Sequence, residues 1–459
     1  MISKKFISLA LCLSIITISS IINLAQGKKG IDMKAEENIK LKPLDIQYYK
    51  LSNGLRIVLN PDNSVPVVSV AVYYDVGSRN EKPGRTGFAH LFEHMMFQGS
   101  ENVKKGEHFI YISKAGGTMN GTTSSERTNY FETLPAKWLP LALWLESDRM
   151  RSLAVTQENL DNQRETVKEE KRLRYDNQPY GQVIDIINSM IYKNFANAHS
   201  TIGSMDDLNA ATLDDVKEFF RIYYAPNNAV LVVSGAFDIS EAKRLIEKYF
   251  SSIPSQPNPP AIDVSEPPEV AVKAKTYEDK LAPLPAFIDG WKIPARNTRE
   301  FKALELAGKL LYDGESSRLY QKLVKGDESV IQIIGLTDER RGPSAILIGA
   351  IPKPGKDVKQ IRQKIYDEIK QLATEGPKAE EMKKLHNQLI NAEIRLRQSS
   401  LLRALRLGEF TLYDGDPSLA NKELQDLLTI TPDEIREAVS KYLNTENRAQ
   451  LDVVPGKPK

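Results

Sequence analysis

The sequence predicts an α+β fold made of two copies of one unit. Apolar stretches of strand length alternate with amphipathic stretches of helical length along the 459 residues. Thr212-Leu-Asp-Asp-Val matches Thr431-Pro-Asp-Glu-Ile at an offset of 219 residues, and Ser78-Arg79-Asn80 matches Ala295-Arg296-Asn297 at 217. A near-constant offset indicates an internal repeat, with coincidence between generic helix–strand units as the alternative. Two units also suit the length, because single cores rarely exceed about 300 residues.

Local signals predict the elements of the first half in order. Tyr49–Asn60 predicts two short strands around an Asn-Gly turn, and Val65–Val76 predicts a buried strand. Gly106–Ala115 predicts a helix, and the threonine-rich stretch Thr122–Thr133 suits a strand. The remaining predictions are helices over 139–176, 212–224 and 239–250 and a buried strand over 228–235.

Composition predicts the domain boundaries. Residues 1–27 hold two lysines, an apolar run and small residues before a cleavage position after Gly27, which is typical of a secretory signal peptide. An uncleaved anchor is the alternative, because the run approaches the length of a membrane span. Cys12, the only cysteine, lies inside this run behind Leu11, so neither lipidation nor a disulfide is expected. We expect a flexible leader at 28–44, a first domain at 45–254, a proline-rich linker at 255–285 and a second domain at 286–459.

The overall charge excludes some classes of partner. The formal net charge is +2, with 41% hydrophobic and 27% charged residues, which is ordinary for a globular protein. Such a balance gives no basis for binding nucleic acid or an anionic membrane surface. We therefore expect no nucleic-acid partner. Together with the predicted signal peptide, we expect an exported protein with no stable membrane insertion after signal cleavage.

Gly87–Gly99 (GFAHLFEHMMFQG) carries the chemistry. If it is helical, His90 and His94 are four residues apart and share one face, which Glu93 flanks. Two imidazoles on one helical turn bind one zinc, and a neighbouring carboxylate takes a proton from water on the metal. Thr86 is a candidate cap for this helix. The alternative, a solvated helix face, fits poorly with the large apolar neighbours: Leu91, Phe92, Met95, Met96 and Phe97.

A catalytic zinc site needs a third protein ligand. Glu165, Glu169 and Glu170 are candidates on the charged helical stretch, and periodicity does not choose among them, because a charged helix usually faces water. The repeat supplies an internal comparison. With Gly99 set against Gly314, the positions of His90, Glu93 and His94 are taken by Glu305, Gly308 and Lys309, so the second copy lacks the ligands.

H-x-x-E-H followed by a glutamate 76 residues later resembles the M16 metallopeptidases, the pitrilysin and mitochondrial-processing-peptidase family, also called inverzincins. The resemblance covers nearly the whole mature chain and includes Gly116-Gly117-x-x-Asn120, Arg164, Val167, Thr201–Leu208, Tyr223–Gly235 and Gly314–Leu323. It implies two homologous α/β-sandwich halves facing each other as a clam shell. It also implies one zinc per chain, held by His90, His94 and Glu170, with Glu93 as general base.

The resemblance also implies substrate contacts. An extended peptide would pair with an edge strand near Asn120–Thr123, although Asn120 also suits a simple turn. Arg406 and Tyr413 fit a pair that reaches the substrate and its developing oxyanion, with Arg403 as a competing choice and a surface arginine beside a packed tyrosine as the alternative. Gln163 stands where members often carry a second glutamate, which removes that outer carboxylate.

The function implied is a secreted or periplasmic zinc-dependent metalloendopeptidase acting on peptides or unfolded protein segments. Chains of this size in the family commonly pair with themselves or with a related M16 subunit, so a homodimer or heterodimer is expected. The alternatives are a non-catalytic scaffold or peptide-binding subunit, and a catalytic subunit that needs a separate partner chain.

Overall fold

Two mixed β-sheets organise the protein. The computed structural model describes residues 41–456, so the predicted signal peptide (1–27) and the predicted leader up to residue 40 lie outside the described residues. The strands are β1 (Gln47–Lys50), β2 (Arg56–Pro61), β3 (Val67–Tyr74), β4 (Thr118–Thr123), β5 (Thr128–Pro135), β6 (Ala229–Gly235), β7 (Ala274–Asp279), β8 (Ala286–Ile293), β9 (Val330–Asp338), β10 (Ser344–Pro352) and β11 (Ala449–Pro455).

Helices cover both sheets. They are α1 (Phe88–Met95), α2 (Glu107–Lys114), α3 (Leu139–Ser152), α4 (Gln157–Lys171), α5 (Val183–Ile191), α6 (Phe195–Ala198), α7 (Met205–Ala210), α8 (Leu213–Tyr223), α9 (Ile239–Phe250), α10 (Arg299–Leu311), α11 (Val358–Glu375), α12 (Ala379–Gln398), α13 (Ser400–Asp414), α14 (Glu423–Leu428) and α15 (Pro432–Tyr442). Within residues 41–456, none of these helices combines the length and apolar character needed to cross a bilayer.

The two sheets share a five-strand topology, and the first has β1 as an additional edge strand. The first has the strand order β1-β2-β6-β3-β5-β4, and the second has the order β7-β11-β8-β10-β9. β2 runs parallel to β6, as β7 does to β11, and the other neighbouring strands are antiparallel. The predicted α+β fold of two homologous halves is therefore confirmed.

Each sheet has one face covered by a helix from the other half. α13 packs on the first sheet, where the Tyr73 hydroxyl donates to the Leu405 carbonyl at 2.9 Å. α5 packs on the second sheet, with Ile187 against strands β8, β10 and β11. Because helices cover both faces, β6 is buried throughout: Val230 contributes to the core under α13 and Leu231 to the core on the opposite face.

A charged cluster also joins the halves. Arg341, between β9 and β10, binds Asp75 at 2.6 Å and Glu126 at 2.9 Å. Asp75 directly follows β3, and Glu126 lies in the turn between β4 and β5, where it also binds Arg79 at 2.6 Å. The turn of the β4–β5 hairpin is therefore fixed to the second half.

Two element predictions differ from the structure. Thr122–Thr133 is not one strand, because β4 and β5 form a hairpin whose turn lies within it. The predicted linker, 255–285, contains β7, which pairs with β11 as part of the second sheet. Most side chains of β7 are exposed, so it lacks the apolar alternation that identifies a strand in a sequence.

Candidate metal centre

A buried carboxylate holds the first turn of α1. Glu81 accepts hydrogen bonds from the backbone N–H groups of Gly87 at 2.9 Å and Ala89 at 2.8 Å. Its Oε2 lies 3.1 Å from His199 Nε2, and both side chains are buried. Burial raises the pKa of Glu81, and the hydrogen bond from His199 opposes that shift. A distant side chain thus satisfies the N–H groups that open the helix.

Thr86, predicted as the cap of α1, has another role. The N-cap is Gly87, whose φ of 84° lies in the left-handed region. A Cβ there would stand 2.7 Å from the Ile202 carbonyl oxygen, so the position requires glycine. Thr86 instead donates its hydroxyl and its backbone N–H to Asp207. The cap prediction was wrong because the close approach of the loop before α7 decides the backbone here.

His90 and His94 project from one face of α1 toward Glu170. Their ring centroids are 4.9 Å apart. Glu170 Oε2 lies 3.7 Å from His90 Nε2 and 3.2 Å from His94 Nε2. Glu170 is the penultimate residue of α4, which packs beside α1. The three residues each place one ligand atom within 4.8 Å of the others, as three ligands of one metal ion must.

The other two candidate glutamates on α4 are engaged elsewhere. Glu165 pairs with Lys168 at 2.8 Å, and Glu169 pairs with Arg172 at 3.0 Å. In both pairs the partners are three residues apart, and the glutamate side chain is exposed. Of the three glutamates that periodicity left open, Glu170 is the one that the fold brings to the histidines.

The charge states at this centre suit a metal. Burial and the neighbouring His94 lower the pKa of His90 to about 4, so His90 is neutral at pH 7, the state that binds metals. Burial raises the pKa of Glu170, but the hydrogen bond to His94 and the charges nearby lower it further, leaving an anion. His90 Nδ1 is buried without a hydrogen-bond partner. Two imidazoles and one carboxylate form a donor set that fits zinc.

Glu93 lies between this set and the edge of the first sheet. The Thr123 hydroxyl donates to Glu93 Oε2 at 2.6 Å. Burial raises the pKa of Glu93, and the hydrogen bond from Thr123 partly offsets that shift. A Cβ on Gly121 would lie 3.1 Å from Glu93 Cγ, so the glycine allows β4 to approach closely. Asn120 is exposed on this same edge strand. The sequence did not single out Thr123, since nothing local distinguishes it from neighbouring threonines.

Arg406 and Tyr413 lie on α13. Arg406 forms an ion pair with Glu423, and the competing Arg403 is buried against Asp62 at 2.9 Å. The Tyr413 ring stands under the guanidinium of Arg341 at 4.8 Å. Because Arg341 binds the turn of the β4–β5 hairpin, Tyr413 lies near that turn, whereas Arg406 is held by its own half.

A second set of potential ligands is buried beneath the sheet. His108, Glu132 and Glu146 also bring ligand atoms within 4.8 Å of one another. Arg149 binds both carboxylate oxygens of Glu146. Burial raises the pKa of Glu132 well above its usual range, and burial lowers that of His108. Both shifts favour the uncharged forms of Glu132 and His108, and Arg149 already pairs with the Glu146 carboxylate.

Comparison with known proteins agrees with this geometry. Residues 56–204 match the family model described as Insulinase (Peptidase family M16), and residues 210–389 match that described as Peptidase M16 inactive domain. The two segments together span most of the chain. The second of them begins in the first half and extends into α12, so it includes α10, where Glu305 and Lys309 take the positions of His90 and His94.

Similar proteins include named proteases. Zinc protease PqqE of Helicobacter pylori (strain ATCC 700392 / 26695) is 29% identical over 401 residues, covering 86% of this chain and 90% of that protein. The crystal structure of a protease from Helicobacter pylori has a TM-score of 0.87 and 27% identity, covering 90% of this chain and all of the other. The first half of the periplasmic protease PqqL from Escherichia coli shares the fold at a TM-score of 0.73 and 18% identity, covering 90% and 93% of the two chains. The chain belongs to peptidase family M16, among relatives named as zinc proteases.

Proposed function

We propose that this chain is a zinc-dependent metalloendopeptidase that cuts peptides or unfolded protein segments. One observation carries the proposal: His90 Nε2, His94 Nε2 and Glu170 Oε2 converge beside the carboxylate of Glu93. Residues 1–27 support export to the periplasm or beyond.

The chain's own groups suit peptide hydrolysis. Zinc, when bound, polarises the scissile carbonyl and acidifies the attacking water. The Thr123 hydroxyl occupies Glu93 Oε2, so we assign to Glu93 Oε1 the proton that leaves the water and later passes to the departing amine. The edge strand β4 offers main-chain hydrogen bonds to an extended peptide, with Asn120 exposed along it. Such pairing binds the substrate with little dependence on its sequence.

The test measures zinc content and peptide hydrolysis by the mature protein beside two variants. Wild type should hold about one zinc per chain and cut unfolded peptides. Glu93→Gln should keep the zinc and lose roughly 100-fold or more in kcat, since it removes the general base. Glu170→Gln should lose both zinc and turnover. A wild-type protein that binds no zinc would overturn the proposal.

A catalytic subunit that needs a partner chain is the second candidate. It is favoured by the contact between Arg406 and Glu423, which engages the arginine expected to reach the substrate. Under this reading, wild type binds zinc yet cuts nothing alone, and adding a related M16 subunit restores hydrolysis. If hydrolysis stays absent with every such subunit, the chain acts as a scaffold or peptide-binding subunit.

A further inference from the structure

We propose that Arg174 restricts Glu170 to binding zinc through one oxygen and so keeps a coordination position open for the attacking water. Arg174 is then a positioning residue, because it acts through Glu170. The inference rests on the zinc site proposed above.

The two oxygens of Glu170 face different partners. Oε2 points to the two histidines, at 3.7 Å and 3.2 Å from their Nε2 atoms. Oε1 lies 2.8 Å from Arg174 Nη1. A catalytic zinc typically has three protein ligand atoms and a fourth position for water. If Oε1 also turned to the metal, the carboxylate would occupy that fourth position.

The backbone after α4 brings Arg174 to this oxygen. The segment Arg172–Asp176 is π-helical and continues directly from α4. Wider turns of this kind are frequent at functional sites. An ion pair between Lys171 and Asp176, at 2.7 Å, spans the segment. Arg174 stands four residues after Glu170, an ordinary spacing on a helix face, and its guanidinium contacts Oε1 while Oε2 is the oxygen nearest to both histidines.

The same segment contains an ordinary pair for comparison. Arg172 binds Glu169 at 3.0 Å, and both side chains are about half exposed. Such surface pairs contribute about 0–1 kcal/mol and seldom affect function. Arg174 is also exposed, at 58% of its side chain, but its partner Glu170 is only 18% exposed and faces the histidines. The inference therefore concerns which oxygen Glu170 presents, rather than the strength of the pair.

The experiment compares Arg174→Met with the matched control Arg172→Met and the conservative variant Arg174→Lys. Zinc affinity is measured by chelator competition, and coordination by the visible absorption of the Co²⁺-loaded protein. We expect Arg174→Met to bind zinc as tightly as wild type or up to about tenfold more tightly. Its Co²⁺ bands should weaken, as they do when coordination number rises, and kcat should fall about tenfold. Arg172→Met should match wild type, and Arg174→Lys should lie close to it.

Two results would overturn the inference. If Arg174→Met loses zinc affinity tenfold or more, Arg174 merely anchors the ligand. If it matches Arg172→Met in affinity, spectrum and kcat, the pair is an ordinary surface contact. Failure of the zinc site itself appears separately, as absence of zinc from the wild-type protein.

Discussion

The two halves fold alike but use the same positions differently. In the first half, α1 presents His90 and His94 to Glu170 on α4. In the second half, the corresponding positions on α10 hold Glu305 and Lys309, which form an ion pair at 3.8 Å. An ion pair four residues apart satisfies itself on one helix face, whereas two histidines need a third ligand from another element to hold a metal. The fold therefore accommodates both pairs, and within residues 41–456 the sets of potential metal ligands all lie in the first half.

The edge strands of the two sheets also use corresponding positions for different contacts. Thr123 on β4 binds the Glu93 carboxylate at 2.6 Å, and Thr337 on β9 contacts the Tyr312 hydroxyl at the same distance. Tyr312 fills the space beside Gly308, where a Cβ would lie 2.4 Å from the tyrosine oxygen. A side chain at the position matching Glu93 has no room in the second half. A packing contact there corresponds to the contact between Thr123 and Glu93 in the first half.

The largest expected effect comes from giving α1 the residues of α10. His90→Glu combined with His94→Lys should abolish zinc binding and lower peptide hydrolysis by at least about 1,000-fold, because metal assistance is lost. Circular dichroism should still show the folded protein, since the new pair suits a helix. Glu305→Ala with Lys309→Ala is the control and should leave zinc content unchanged. Retention of zinc by the first double variant would show that other groups hold it.

The starts of these two helices should differ in sensitivity. Glu81→Ala removes the acceptor of the N–H groups of Gly87 and Ala89 and the partner of His199 Nε2, so we expect the metal-free protein to lose about 3 kcal/mol of unfolding free energy. Thr298 caps α10 with its own side chain, and Thr298→Ala should cost about 1 kcal/mol. Urea unfolding measures both. Equal losses would mean that the buried carboxylate acts as an ordinary cap.

Each sheet is covered by a helix of the other half, α13 on the first sheet and α5 on the second. These two contacts should differ in how well they tolerate an added methyl group. A Cβ on Gly408 of α13 would stand 2.5 Å from the ring of Tyr73, which is buried and bonded to Leu405. A Cβ on Gly290 of β8 would meet the flexible end of Ile191 at 2.4 Å. Gly408→Ala should therefore destabilise by about 2 kcal/mol, and Gly290→Ala by about 1 kcal/mol or less. The reverse order of thermal midpoints would contradict this reading.

The smallest expected effect depends on pH. Burial raises the pKa of Asp289, in the second half, to about 6, and that of Glu132, in the first half, well above its usual range. A carboxyl whose folded pKa is raised stabilises most below its unfolded pKa, and this contribution is lost as pH rises through the folded value.

Unfolding of the metal-free variants Asp289→Asn and Glu132→Gln measures this difference between the halves. The stability of wild type relative to Asp289→Asn should fall by about 1 kcal/mol between pH 5 and 7 and then level. Relative to Glu132→Gln the fall should extend to higher pH, because burial raises that pKa well above its usual range. If the two stability curves level at the same pH, the folded-state pKa values of the two carboxyl groups are equal, which would contradict this prediction.

The sequence predicted what depends on local spacing. The alternation of helices and strands, the repeat and the shared face of His90 and His94 all follow from periods along the chain. Choosing Glu170 over Glu165 and Glu169 needed the family resemblance, because the choice depends on how α4 packs on α1. The structure now brings Glu170 to the histidines.

Other parts of the site have no signal in the sequence. Glu81 contacts His199 across 118 residues, and Thr123 reaches Glu93 across 30. Arg174 follows Glu170 at an ordinary helical spacing of four residues, but its contact with Oε1 in particular depends on where the histidines hold Oε2. Such contacts are set by packing between elements, and periodicity carries no information about them.

Because each sheet has one face covered by a helix from the other half, the order in which the chain can fold is restricted. Tyr73 and its partner Leu405 are 332 residues apart, so one face of the first sheet cannot be covered until α13 has been synthesised. A fragment that ended before α13 would leave the apolar face of β6, including Val230 and Val232, in contact with water. Contacts at such separation slow folding and expose the nascent chain to aggregation. Although two family models divide this protein, the ribosome must deliver nearly all of it before either half is finished.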